Sequence, residues 1–471
     1  MIKNIVTRAI HENIMSDLLN KLIKPLIQSP ARFTIFSFGL LILTGTFLLM
    51  LPQATNTSIH LIDALFTSAS AVCVTGLTVV DTGSAFSALG QWIILALIQA
   101  GGLGIMTIST IIIFMLKKRS NLAGRTIIHD TFIHKSKYTI SQTLRAILIS
   151  TIAIEGIGII IMFFCFHSNH DIIQSLKLSV FHSISAFCNA GFSTLPDSMT
   201  PYRENIPLNL IFCFLIISGG IGFPVMIELK EQFPVNRRTW PRLSLHTKIV
   251  LSTTGILLFT GTMIICLMEW HNTLASLSLP GRVLASFFQA VNARTTGFNS
   301  LPIGAMANET LFILIIFMFI GASPGSCGGG IKTTTVATLF ILAISRLKGN
   351  KYPHLFNRKI SDKSVGKAIS IVLISLGIVF IGILLLNITE LGDMSHISSR
   401  GKFLEISFEV ISAFGTVGLS TGTTPTLTVM GKLIITFIMF IGRLGPLVIA
   451  IAVSQPSLSS YQFAEENIMI G

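Results

Sequence analysis

The sequence predicts an all-α integral membrane protein. Eight transmembrane helices fall into four parallel, pseudo-symmetric helix–half-helix–helix repeats around one central axis. Three observations predict this. Of the 471 residues, 51% are hydrophobic and only 11% are charged, where a soluble chain carries about 25% charge. Several apolar runs exceed the roughly 20 residues needed to cross about 30 Å of hydrocarbon. One twelve-residue pattern recurs four times. The apolar blocks are continuous, unlike the alternating segments of about ten residues in an outer-membrane barrel.

Residues 1–30 intersperse charge with apolar side chains and lack the uninterrupted core of a signal peptide. They read as an amphipathic helix on the cytoplasmic membrane surface. Spans are expected at 32–51, 88–116, 144–166, 206–227, 247–269, 309–344, 368–388 and 428–453. Within each pair lies a shorter semi-apolar stretch: 60–73, 174–188, 281–294 and 402–415. Each is too short to cross and too apolar for a free loop, so each reads as a re-entrant half-helix. The repeats then run 31–118, 141–228, 246–346 and 366–454, with a cytoplasmic tail at 455–471.

The repeated pattern reads FTSASAVCVTGL (66–77), FHSISAFCNAGF (181–192), FFQAVNARTTGF (287–298) and FEVISAFGTVGL (408–419). A Phe precedes a Gly by ten residues in every copy, and an apolar residue follows that Gly. The glycines, Gly76, Gly191, Gly297 and Gly418, are spaced by 115, 106 and 121 residues. One span–half-helix–span unit fills each interval, which makes an internal repeat the organising feature.

The formal charge of +13 raises the question of a nucleic-acid partner. Its placement argues against one: 24 of the 33 Lys and Arg residues cluster at 1–32, 117–145, 230–248 and 346–367. Basic clusters beside spans mark the cytoplasmic side and can touch anionic lipid. Both termini are then cytoplasmic, and the half-helices enter from outside. The six cysteines lie in or beside apolar stretches and form no C-x-x-C, so neither a zinc site nor a disulfide framework is expected.

Four inward glycines on an axis suggest a specific chemistry. A bare cation in hydrocarbon costs tens of kcal/mol in the Born limit, so something must replace its water. Backbone after a half-helix exposes carbonyl oxygens, glycine reaches the angles required, and helix C-termini add partial negative charge. Rings of backbone carbonyls form the filters of potassium channels. The candidate ion-binding runs are Val74-Thr75-Gly76, Asn189-Ala190-Gly191, Thr295-Thr296-Gly297 and Thr416-Val417-Gly418, with a monovalent cation placed at the four glycines. One shared glycine per run, flanked by differing side chains, predicts looser discrimination against sodium than a T-V-G-Y-G filter gives.

The sixth span is interrupted by SPGSCGGG (323–330). Pro324 removes a backbone donor, and Gly325, Gly328, Gly329 and Gly330 weaken the helix, whereas the other three second spans read as plain helices. Such a break survives only inside protein or beside water, and its position beyond Gly297 places a flexible gate beneath the filter. Lys332 and Arg443 are intramembrane cations and so functional candidates by default, with snorkelling to the inner interface as the plain alternative. Glu155 is a buried carboxylate that needs a lysine, an arginine or a hydroxyl. Asn189 and Arg294 adjoin the filter and are placed at its mouth, and Glu409 is placed to support it. The run from Gly325 imitates a phosphate loop, but Ile331 intrudes before Lys332 and no strand precedes it, which disfavours a membrane NTPase. A secondary transporter for another small solute is the remaining alternative, with an asymmetric pocket in place of four matched glycines. With no soluble catalytic domain in view, enzymatic activity is not expected.

These segments, together with GASPGSCGGGIKTTT (321–335) and GRLGPL (442–447), resemble the Trk/Ktr/HKT superfamily of cation transporters, and most of all the ion-translocating membrane subunit of Ktr systems. The resemblance covers nearly the whole chain, from about residue 31 to 453. It implies potassium uptake across the cytoplasmic (inner) membrane, with sodium as a candidate activator and no covalent cofactor. It also implies a homodimer with one pore per subunit, a cytosolic nucleotide-binding regulatory ring of the RCK type, and Arg443 facing the pore as an electrostatic barrier. In plant relatives a Ser at the first filter glycine accompanies sodium transport. Here that position is Gly76, so potassium is expected.

Overall fold

The computed structural model describes residues 30–119, 140–446 and 448, apart from Arg237 and Asp393. The surface helix expected at 1–30, the tail at 455–471 and most of the basic segment 117–145 lie outside the described residues. The described residues are mostly helical. In order come α1 (Pro30–Leu49), α2 (Leu61–Val72), α3 (Ala88–Arg119), α4 (Ile140–His167), α5 (Ile172–Phe187), α6 (Ile206–Ile221) and α7 (Phe223–Glu231). Then follow α8 (Leu245–Met268), α9 (Leu279–Asn292), α10 (Asn308–Phe319), α11 (Thr333–Leu347), α12 (Asp362–Leu391), α13 (Lys402–Gly415) and α14 (Val429–Leu444). A two-stranded hairpin, His354–Leu355 with Arg358–Lys359, joins α11 to α12.

Among the described residues, α1, α4, α8 and α12 are each long and apolar enough to cross a membrane. Their outward faces leave Leu43, Phe47, Phe164, Phe259, Leu267 and Phe380 exposed. An apolar surface of that extent would be an aggregation liability in water and is what lipid tails cover. The short helices α2, α5, α9 and α13 lie inside instead, with most residues beyond the first turn buried.

Packing closes these elements into a ring. Each buried short helix packs against the long helix before it in the chain: α2 on α1, α5 on α4, α9 on α8 and α13 on α12. The helix after it packs on the next short helix, so that α3 meets α5, α6 meets α9, α10 meets α13, and α14 returns to α2. That last contact carries an ion pair, Lys432 Nζ to Asp63 Oδ1 at 2.7 Å.

Two spans end differently from expectation. The fourth, read as an unbroken helix over 206–227, bends by 100° between α6 and α7. Gly222 takes φ +96 at the break, and Pro224 opens the next helix. A glycine with positive φ terminates a helix, and a proline beside it has no N–H to continue the ladder. The eighth helix is broken after Leu444 by Gly445 at φ +85, and residues 449–453 of the expected span lie outside the described residues. The sixth span is interrupted as expected: α10 stops at Phe319, α11 starts at Thr333, and an irregular loop connects them.

Candidate functional site: a carbonyl ring and the loop beneath it

Each buried short helix stops three to five residues before its glycine, and the chain continues in one shared conformation. The residue two positions before the glycine takes positive φ in all four copies: Val74 (56), Asn189 (61), Thr295 (77) and Thr416 (50). The glycines follow at φ 93 (Gly76), 68 (Gly191), 82 (Gly297) and 87 (Gly418). Positive φ is an outlier for branched Val and Thr. Four matched cases mean that the surroundings over-determine the backbone there, as happens at functional sites.

The four segments meet around one centre. A methyl group added to Gly76 would lie 2.5 Å from the carbonyl oxygen of Ala190, and one on Gly297 would lie 2.5 Å from that of Val417. One on Gly191 would overlap the Thr296 carbonyl, and one on Gly418 the Thr75 carbonyl. Each glycine thus faces the carbonyl preceding the glycine of the next segment, and the fourth returns to the first. Among the described residues, the carbonyls of Thr75, Ala190, Thr296 and Val417 accept no backbone hydrogen bond. A buried carbonyl normally has a partner, so four unpartnered ones around a common centre form an oxygen-rich site. A vestibule of about 230 Å³ opens on one side, lined by the four glycines, Thr78, Asp81, Ser193 and Ser420 among others.

The backbone N–H groups are turned away from the ring and held. Thr75 N, Ala190 N and Val417 N each donate at 2.8 Å to the carbonyls of Ser70, Ser185 and Ser412. Gly76 N donates to Ser70 Oγ and Gly418 N to Ser412 Oγ, both at 3.1 Å. Ser185 Oγ donates to the Phe192 carbonyl at 2.8 Å. In the third segment Asn292 substitutes, accepting from Phe298 N at 3.1 Å. The sequence reading missed these serines, although a Ser stands six residues before the glycine in three of the four copies. It also missed a second set of glycines. A methyl on Gly101, Gly219 or Gly442 would overlap the carbonyl of Val72, Phe187 or Phe414, at the end of the short helix in the same group. The recurring AGGLG, SGGIG and IGRLG were the available signal.

Opposite the vestibule lies the loop between α10 and α11. Gly329 N donates to Thr416 Oγ1 at 2.9 Å, and Gly328 lies against Thr295 Oγ1. Lys332 Nζ donates to the Gly328 carbonyl at 2.7 Å. Arg443, buried, donates to the carbonyls of Cys327 and, at 2.7 Å, of Gly101. Neither cation snorkels. The loop is stitched to the α6–α7 bend by Ser323 N to Gly220 O (3.1 Å), Cys327 N to Gly219 O (3.1 Å) and Phe223 N to Gly325 O (2.9 Å). Gly325 and Gly330 take positive φ of 73 and 65.

Other singled-out residues fall as follows. The Asn189 amide, oriented to satisfy its partners, accepts from Thr295 Oγ1 at 3.2 Å and donates to the Ile216 and Phe187 carbonyls. Arg294 is buried, and its Nε has no partner among the described residues. Glu155 was expected to meet a lysine, an arginine or a hydroxyl. Its carboxylate instead accepts from the Gln99 amide at 3.2 Å, because α3 and α4 pack with those two residues facing. Glu409 accepts from Ser420 Oγ (2.6 Å), Thr421 N (3.0 Å) and Thr424 Oγ1 (2.5 Å), which pins the chain leaving the fourth segment.

Comparison with known proteins identifies the family. The TrkH family, described as a cation transport protein, matches residues 2–462. Ktr system potassium uptake protein B of Bacillus subtilis is 39% identical over 454 residues, covering 96% of this chain and 99% of that one. The protein of the same name from Vibrio alginolyticus is 34% identical, covering 93% and 94%. Potassium/sodium uptake protein NtpJ of Enterococcus hirae is 34% identical, covering 94% and 97%. The crystal structure of the potassium transporter TrkH from Vibrio parahaemolyticus superposes with a TM-score of 0.71 over 89% of this chain and 83% of that one, at 18% identity, which speaks for the fold. The chain is therefore a multi-pass membrane protein and a member of the TrkH family of cation transport proteins.

Proposed function

We propose that the chain carries potassium into the cell through a gated pore. Its filter is the ring formed by Val74-Thr75-Gly76, Asn189-Ala190-Gly191, Thr295-Thr296-Gly297 and Thr416-Val417-Gly418. The observation that carries this reading is the cyclic set of unpartnered carbonyls, each lodged against the glycine of a neighbouring segment. Four parallel repeats, 31–118, 141–228, 246–346 and 366–454, account for that closure. The loop 321–335, with Gly325, Gly328, Gly329, Gly330, Lys332 and Arg443, is the gate. Its hydrogen bonds to Thr416, Gly219 and Gly220 hold it against the ring segments, and in this reading they must break for an ion to pass. Relatives named for potassium and for potassium/sodium uptake support K+ as the cargo and sodium as a second cation to test.

Flux needs no nucleotide hydrolysis. An inside-negative potential contributes about 2.3 kcal/mol per charge per 100 mV, which supports roughly fiftyfold accumulation at about 1.4 kcal/mol per tenfold. Both termini are cytoplasmic in this reading. The functional assembly is a homodimer under a cytosolic nucleotide-binding ring, in keeping with the Ktr system naming of the relatives. Purified chain in vesicles should take up rubidium, a potassium substitute, when a potential is imposed, and external potassium should compete. Uptake that ignores the potential, or potassium that fails to compete, would refute the proposal.

A further inference from the structure

Two buried thiols, Cys188 after α5 and Cys327 in the loop, lie near the buried Arg443, which donates to the carbonyls of Cys327 and Gly101. Both thiols crowd the open face of Gly102, where an added methyl would lie 2.8 Å from Cys188 Sγ and 3.7 Å from Cys327 Sγ. Cys188 Sγ also reaches Gln99 Oε1 at 3.2 Å. The pair joins the root of the second ring segment to the loop opposite the vestibule. The transport reading above gives these thiols no part.

We propose that Cys188 and Cys327 form a binding site for a thiophilic monovalent cation of the silver(I) type, delivered by the pore itself, and that its capture clamps the loop shut. Soft thiolates select soft ions, and the ion itself displaces the thiol protons as it binds. Two thiols suit a two-coordinate ion. Among the described residues no group of three His, Cys, Asp or Glu could hold a metal, and structural zinc requires four ligands. Binding breaks two S–H bonds and forms two Ag–S bonds. Two protons leave to water, and nothing is oxidised or reduced. The bis-thiolate carries one net negative charge, which faces Arg443 on the Cys327 carbonyl and Lys332 on the Gly328 carbonyl. The pore and the gating role of the loop are the parts of this inference that rest on the proposed function.

The test measures rubidium uptake by vesicles in chloride-free nitrate medium with micromolar silver added outside. Uptake should cease, survive washing as a block, and return with dithiothreitol. Cys327→Ser should raise the half-blocking concentration more than about tenfold, in line with loss of a metal contact. A chain carrying Cys165→Ser, Cys213→Ser and Cys266→Ser together should stay sensitive. On the unaltered chain, with urea added until the buried Cys188 and Cys327 react in a silver-free control, prior silver should protect both from alkylation, read by peptide mass. Equal sensitivity of Cys327→Ser, or alkylation unaffected by silver, overturns the site. External potassium should slow the block. Protection of both thiols without that slowing keeps the site and overturns delivery through the filter.

Discussion

Gly76→Ala perturbs the ring at one atom, and its consequence can be worked from the structure. Gly76 sits at φ +93, and the added methyl would lie 2.5 Å from the Ala190 carbonyl oxygen and 3.2 Å from the Gly191 Cα. A left-handed conformation costs a residue with a Cβ about 1–2 kcal/mol. The overlap adds to this, because the atoms met are backbone and cannot rotate aside as the end of a side chain could. At about 1.4 kcal/mol per tenfold, the intact ring should be populated at least about tenfold less. The assay is rubidium and sodium uptake in vesicles at matched protein. Gly255→Ala in α8 serves as control, since its methyl meets nothing within 4 Å and a mid-helix Gly to Ala change gains about 0.5–1 kcal/mol. Gly76→Ala should lose rubidium uptake and admit proportionally more sodium, while Gly255→Ala keeps both. Rubidium uptake within about twofold of the unaltered chain, with its preference over sodium intact, would refute the steric reasoning, since that reasoning requires about tenfold.

Three further changes are informative. Arg443→Gln strands buried carbonyls at Cys327 and Gly101, at about 1–3 kcal/mol each, so the closed loop should weaken and basal rubidium leak rise by tenfold or more by that estimate; an unchanged leak counts against the gate. Ser70→Ala or Ser412→Ala removes the acceptor for the Gly76 or Gly418 N–H and should lower the rubidium-to-sodium uptake ratio without abolishing flux, so an unaltered ratio would free those serines of a role in ordering the ring. Asp81 is the charged residue lining the vestibule; Asp81→Asn should raise the KM for rubidium about twofold at low ionic strength, from about 0.5 kcal/mol across ~8 Å of water. The difference should vanish near 1 M salt, where the Debye length is about 3 Å.

Much of the architecture was legible because the bilayer simplifies the code. Apolar length reports the long helices, and the Phe-to-Gly spacing located all four ring segments. Other features depend on tertiary contact. The bend at Gly222 lies inside an apolar run, and what makes it a break is its docking against the loop around Gly325. Glu155 meets Gln99 only because α3 and α4 pack side by side, and no local pattern pairs residues 56 positions apart. The role of Ser70, Ser185 and Ser412 was visible as a repeated letter, yet serine is so ordinary inside buried helices that its meaning waits on the N–H it accepts. Positive φ at Val74, Thr295 and Thr416 runs against the intrinsic preference of those residues, and the ring imposes it.

Crystals of the chain grown in rubidium or thallium, with anomalous scattering recorded, test the central claim most directly. The account predicts an anomalous peak at the common centre of the Thr75, Ala190, Thr296 and Val417 carbonyls. A clear map with no ion between Gly76, Gly191, Gly297 and Gly418, or with the heavy ion bound elsewhere in the membrane, would contradict it.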